Sequence, residues 1–300
     1  MAIENTWKEI YIPNKKNINL FCNHYYNDKD APNILYIQTP IGSVKSFLKK
    51  AYEPLTQYGF NIFAVDFAGI GNSKGTITDF TLQGIVDDLD SCVDYICERV
   101  TGDIHLYAGT GTGGIFGEYY ASATDKIRSF AQYGVGIYGD VSIIKYPKWI
   151  TKMFYILLKG IVKVIPRLRI FFPLPKYSGY HAELDNAFYE MALQEYPDLF
   201  KQDVHLMIAL LSMFLDKESA LKLLPQCPTL VFETLHDRYF PKEYFRKYYD
   251  ILTCEKKLYS INDIHNSYYF HSDEICKEVA KWFIAHSSTI RGEVEHAEIQ

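Results

Sequence analysis

The residues with the most chemical promise in this 300-residue chain are two threonines in Ala108-Gly109-Thr110-Gly111-Thr112-Gly113-Gly114, Asp237 at the end of Glu233-Thr234-Leu235-His236-Asp237, and His265 at the end of Ile261-Asn262-Asp263-Ile264-His265. A hydroxyl becomes a useful nucleophile when a base takes its proton and a carboxylate holds that base in the right tautomer. Hydroxyl, carboxylate and imidazole occur here in that order along the chain, and the chemistry such a set performs is acyl transfer or hydrolysis. The glycine-rich stretch follows the apolar run Ile104 to Tyr107 and leads into small and apolar residues. That is the pattern of a strand, a sharp turn and a helix start, on which a nucleophile is held above a sheet. Neither Ser nor Cys stands in it.

Two registers of this turn are therefore open. Thr110 fills the nucleophile position if the turn is read as A-x-T-x-T, whereas the more general G-x-S-x-G spacing runs from Gly109 to Gly113 and puts Gly111, which has no side chain, at the centre; Thr112 is the other available hydroxyl. A threonine nucleophile is chemically adequate, but its β-branching restricts χ1. The same glycines match G-x-G-x-x-G, yet no Asp or Glu stands between Asp125 and Asp140, where a dinucleotide site needs its ribose-binding acid. Asp263 and His236 stand earlier in their turns and rank below Asp237 and His265.

These residues need a scaffold that brings distant turns together. Short apolar runs at 8–13, 17–26, 33–38, 60–66, 103–108, 127–134, 228–233 and 255–260 predict eight strands, and amphipathic stretches at 44–57, 79–99, 114–123, 241–251 and 272–286 predict helices. The first two strands have no helix between them and are expected to form an antiparallel edge of an otherwise parallel sheet. The alternation stops near residue 139 and resumes at about 225, which predicts an inserted helical cap over 140–224 on a core of 1–139 and 225–290; the tail 291–300 is polar. In open α/β sheets ligands bind beyond the carboxyl ends of the strands, so the cap is expected to wall the pocket.

The order of these landmarks resembles the α/β-hydrolase fold, with a mainly parallel eight-stranded sheet and helices on both faces. Gln38-Thr39-Pro40-Ile41-Gly42 follows the third strand, and Asp66-Phe67-Ala68-Gly69-Ile70-Gly71-Asn72-Ser73 looks like the superfamily's D-x-x-G-x-G-x-S turn. The resemblance implies an oxyanion hole made by the N–H of Gly111 and one from the Thr39, Pro40, Ile41 turn. Within the superfamily the chain is similar to the acyltransferases of luminous bacteria, thioesterases that release fatty acid from acyl carriers, through Gly75 to Thr81 with the following helix, the A-x-T-x-T turn, Tyr133-Gly134-Val135-Gly136, and the Asp237 and His265 turns. That likeness implies an acyl ester or thioester substrate, alone or on a carrier protein. With the centre of the turn empty, the alternatives are a non-hydrolytic binding protein and an isomerase or lyase that uses His265 and Asp237 as a base.

Bulk properties narrow the field further. A formal charge of −5 gives no electrostatic footprint for nucleic acid. Six cysteines without CxxC or Cys/His spacing, and an N-terminus without an apolar signal core, lead to the expectation of a reducing cytoplasm and of no metal or other cofactor. From Lys145 to Lys176 eight basic residues occur with no acidic one. Ile150, Met153, Phe154, Leu157, Ile161, Ile165 and Leu168 are expected to make the apolar face of this stretch and to line an acyl channel. Its lysine face would be solvated, or would dock an acidic carrier or an anionic membrane.

Overall fold

A computed structural model describes residues 6–171 and 177–288. The polar tail over 291–300 and the Lys176 end of the basic stretch lie outside these residues. Eight strands form one sheet in the order β1-β2-β4-β3-β5-β6-β9-β10: β1 (Trp7–Pro13), β2 (Asn19–Tyr25), β3 (Asn33–Ile37), β4 (Asn61–Val65), β5 (Ile104–Ala108), β6 (Ser129–Tyr133), β9 (Thr229–Thr234) and β10 (Lys256–Ile261). β1 and β2 pair antiparallel, as does β2 with β4, and every remaining pair is parallel.

The central strands β3 to β6 are buried along their whole length. A strand covered on both faces needs apolar residues on both, which is why these segments read as continuous apolar runs. Successive side chains go to opposite layers: Leu35 and Ile37 join the core beneath α1 (Leu82–Cys97), α2 (Thr112–Ala123) and α6 (Lys242–Ile251), while Ile34 and Tyr36 join the one beneath α8 (Ser272–Ala285). The Thr81 hydroxyl caps α1 by accepting the Gly84 N–H at 3.0 Å.

The helix expected over 44–57 is instead two 3₁₀ turns, Phe47–Ala51 and Glu53–Tyr58. Pro54 has no N–H to give to the carbonyl four residues back, so one continuous α-helix cannot cross it. Gly59 ends the second turn in the left-handed region, φ 79°.

Between β6 and β9 the chain forms α3 (Lys148–Ile161), β7 (Arg169–Phe171), α4 (Ala182–Glu195), β8 (Lys201–Asp203) and α5 (Val204–Leu215). This insertion is not wholly helical, because β7 and β8 pair antiparallel as a small ribbon. Three-residue strands offer too short an alternation to be seen in a sequence. The short helix α7 (Ser267–Phe270) leads into α8.

Candidate active site

The turns that carry the candidate residues all lie at the carboxyl edge of the sheet: Thr39 after β3, Thr110 and Gly111 after β5, Asp237 after β9 and His265 after β10. Parallel strands all end on the same side, so residues far apart in sequence meet there. His265 Nδ1 bonds Asp237 Oδ2 at 2.7 Å, and both side chains are almost fully buried. Asp237 also accepts the Tyr239 N–H at 2.7 Å, the Phe240 N–H at 2.8 Å and the Thr234 hydroxyl at 2.8 Å. The imidazole stacks on Phe240, and the ring of Tyr239 meets it edge-on.

Burial works against charge on His265, but the Asp237 carboxylate beside it, its hydrogen bond and the charge of Asp185 outweigh burial and raise the imidazole above 6.5. Burial likewise pushes Asp237 up, while the His265 charge and hydrogen bond and the two backbone N–H groups outweigh it and hold the carboxyl below 3.8. Asp185 comes from α4, is fully buried, and pairs with Arg238 and with Asn266 Nδ2 at 2.8 Å. Sequence reasoning missed these three residues. Arg238 and Asn266 directly follow Asp237 and His265, which was their one available signal; Asp185 had none.

The turn after β5 is strained, with φ 76° at Thr110, and φ 42° with ψ −120° at Gly111. Positive φ in a β-branched residue is costly and persists where surrounding structure enforces it. The Thr110 hydroxyl is buried and turned toward the β3 loop: it accepts the Thr39 N–H at 2.9 Å and donates to Thr39 Oγ1 at 3.1 Å. The Thr39 hydroxyl in turn donates to the Thr110 carbonyl at 2.8 Å.

Gly111 is the residue that faces His265. A Cβ built on it would lie 3.2 Å from His265 Nε2 and 3.4 Å from Thr39 Oγ1. Gly113 lets α2 press against the β3 loop, since a Cβ there would sit 2.5 Å from the backbone of Gln38 and of Thr39. Thr112 opens α2, where the first N–H groups lack intrahelical partners, and its hydroxyl is 3.4 Å from Thr39 Oγ1.

The β3 loop offers less as an oxyanion hole than its sequence implied. Pro40 has no N–H, the Ile41 N–H is bonded to the Thr39 carbonyl at 2.7 Å, and the Thr39 N–H is held by Thr110. With these three set aside, the donors that remain at the turn are the Gly111 N–H and the N–H groups that open α2 at Thr112, where the helix carries its positive end. The D-x-x-G-x-G-x-S turn is structural: Asp66 accepts the Ser43 hydroxyl and the Val44 N–H, both at 2.7 Å, and the Asn72 N–H at 2.9 Å, fixing the β3 loop. Asp263 and His236 do not join the site. Asp263 bonds His181 and His271, and the exposed His236 bonds Asn262 at 3.2 Å.

A cavity of about 560 Å³ opens over Gly111 and His265. Phe188, Tyr189, Phe200 and Leu210 from the insertion make much of its wall, with Phe47 and Tyr268 from the core. None of the seven apolar residues expected to line a channel from the basic stretch touches it. Met153, Phe154, Leu157 and Ile165 are exposed, and α3 buries Thr151, Tyr155 and Leu158 instead. Among the described residues no group of His, Cys, Asp and Glu could hold a metal ion, and no helix is long and apolar enough to cross a membrane.

Fold and site together define an α/β-hydrolase. Residues 42–265 match the family model described as serine aminopeptidase, S33, and the chain belongs to that hydrolase family. No curated protein sequence matches the chain. Similar solved structures include DcsB in complex with a substrate analogue, at 17% identity and a TM-score of 0.71, covering 94% of this chain and 100% of that one. The monoacylglycerol lipase of Paleococcus ferrophilus is 18% identical with a TM-score of 0.67, covering 89% of this chain and 99% of that one. The thioesterase domain from the curacin biosynthetic pathway is 14% identical with a TM-score of 0.63, covering 92% of this chain and 99% of that one. At these identities the likeness is one of fold.

Proposed function

We propose that the protein hydrolyses an apolar acyl ester or thioester without a covalent intermediate, with His265 as general base on a water held in the space above Gly111. The observation that carries this reading is that Gly111, which has no side chain, is the turn residue that faces the imidazole, so that a Cβ built on it would lie only 3.2 Å from His265 Nε2. The base is poised on the position that a nucleophile would fill, and no side chain is there.

In this scheme Asp237 holds Nδ1 so that Nε2 accepts a proton from water. The water oxygen attacks the acyl carbon, and the oxyanion lies against the Thr112 N–H at the positive end of α2. Collapse breaks the bond to the alcohol or thiol, which takes the proton back from His265. The carboxylic acid and the free alcohol or thiol are the products. An aromatic and aliphatic cavity suits a hydrophobic acyl group. The thioester option, and delivery on a carrier protein, draw on the motif likeness to the acyltransferases of luminous bacteria.

A second reading makes Thr110 the nucleophile, and its φ of 76° favours it, because strained backbone concentrates at catalytic turns. Intact-protein mass spectrometry, after quenching turnover of p-nitrophenyl acyl esters and acyl thioesters, separates the two. Turnover with no adduct, retained in Thr110→Ala and lost in His265→Ala, supports the water mechanism. An acyl group mapped to Thr110 overturns it in favour of the second.

A further inference from the structure

We infer that the outward face of α3 is a docking surface for an anionic phospholipid membrane. The surface is distinct from the catalytic groups, and its test reads binding without turnover.

The helix has two apolar faces where an ordinary cap helix has one. Thr151, Tyr155 and Leu158 are buried, and the last two pack on α5. On the opposite side Trp149, Met153, Ile156 and Leu157 are 65%, 63%, 60% and 58% exposed, and Val164, just past the helix end, is 82% exposed. At 100° per residue the four helical residues Trp149, Met153, Ile156 and Leu157 project from one stripe. Large apolar side chains gathered on one exposed face mark a site of association.

Charge identifies the occupant. No Asp or Glu occurs between Asp140 and Glu183, while Lys148, Lys152, Lys159, Lys163 and Arg167 occur beside or between the stripe residues. Lys152, Lys163 and Arg167 form no ion pair among the described residues. A second copy docking symmetrically through the same face would bring the same positive charge onto it and be repelled. An apolar stripe with Trp, bordered by lysines on a convex helix, matches a helix lying in the plane of an anionic interface, with its stripe among the acyl chains and its lysines at the headgroups.

The placement relative to the cavity adds to the argument. Ile143, Ile144 and Lys145, immediately before α3, form part of the cavity wall. A protein docked by α3 therefore holds a segment of its cavity wall within a few residues of the docked helix, which suits the lipid-like acyl substrate of the proposed function.

The test is vesicle flotation of the full-length protein with phosphatidylcholine alone and with an equal mixture of phosphatidylcholine and phosphatidylglycerol, at low and high salt. The expected result is flotation with the anionic vesicles, weakened by salt, with a blue shift of tryptophan emission that disappears in Trp149→Phe. Met153→Ser combined with Ile156→Ser should abolish flotation, and Lys152→Glu with Lys163→Glu should weaken it by about tenfold or more. These side chains are exposed, so an unchanged thermal melt verifies folding. Absence of flotation with either vesicle, or flotation that survives the serine substitutions, overturns the inference. So does a dimer that Met153→Ser dissociates, or binding of an acidic acyl carrier protein that those substitutions abolish while vesicles stay unbound.

Discussion

The hydroxyl of Thr110 accepts the backbone N–H of Thr39 at 2.9 Å and forms no hydrogen bond with His265 among the described residues. Thr110 thereby occupies the Thr39 N–H, one of the donors that the sequence led us to expect in an oxyanion hole. Thr110→Ala frees that N–H, and under the water mechanism it should change kcat by less than about tenfold in either direction, well below the roughly 10³–10⁶-fold loss expected for a true nucleophile. Steady-state kinetics on p-nitrophenyl esters give the comparison.

Gly111→Ser should install the missing nucleophile. Its Cβ would meet His265 Nε2 at 3.2 Å, so the imidazole must give by a few tenths of an ångström, and φ 42° is strained for a residue with a side chain. The variant should lose roughly 1–3 kcal/mol of stability. It should also become labelled by a fluorophosphonate that leaves the wild type unlabelled, which intact-protein mass spectrometry reads directly. Absence of label in a folded Gly111→Ser protein would sink the assignment of this register.

The pH dependence follows from the His265 and Asp237 pair. Only the neutral imidazole accepts a proton, and its folded pKa is raised above 6.5, so kcat/KM should climb with pH through an apparent pKa above 6.5. Asp237→Asn removes the charge that offsets burial, so this apparent pKa should fall, and the rate should drop on the order of 10²–10⁴-fold because the tautomer is no longer held. For stability the signs differ by residue. The His265 contribution is fully present below 6.5 and is lost as pH rises through its higher folded value. The Asp237 contribution is present above 3.8 and is lost as pH falls through its lower folded value. Both describe one ion pair, whose window is bounded by the two folded values.

Glu118 provides an independent test away from the chemistry. It is fully buried on α2, accepts the Gly136 N–H at 2.8 Å with one oxygen, and its other oxygen has no partner. Burial pushes its carboxyl well above 4.5, so it folds protonated, and the unfolded chain gains relative stability once pH exceeds the ordinary glutamate value. Glu118→Gln should therefore raise Tm progressively as pH increases above about 4.5, with little effect at lower pH. Thermal melts across that range check the sign.

Gly113→Ala probes the close approach of α2 to the β3 loop. The added Cβ would meet backbone at 2.5 Å, and backbone cannot rotate away as a side-chain end can. A loss of roughly 1–3 kcal/mol or more in chemical denaturation is expected.

The sheet was legible because its central strands are buried on both faces and so read as apolar runs bounded by turns. The pair Asp237 and His265 was legible because each ends a turn after a strand, and parallel strands end on one side. The 44–57 segment was misread because its apolar spacing suits a helix while Pro54 forbids one. Asp185 was not legible, because a carboxylate on a helix of the insertion shows its partners only when α4 folds over Arg238 and Asn266.

The sequence by itself determined the layered α/β architecture, the place of the strained turn and the dyad of Asp237 and His265, since burial periodicity and turn chemistry are local properties of a chain. Two registers of the turn, one residue apart, were indistinguishable there, because a list of residues does not show where a hydroxyl points. Only the tertiary structure decided that Thr110 is tied to Thr39 while Gly111 faces His265, and that α3 turns Trp149 and Met153 outward. Both depend on which surfaces meet when distant segments pack, and local pattern carries no record of that.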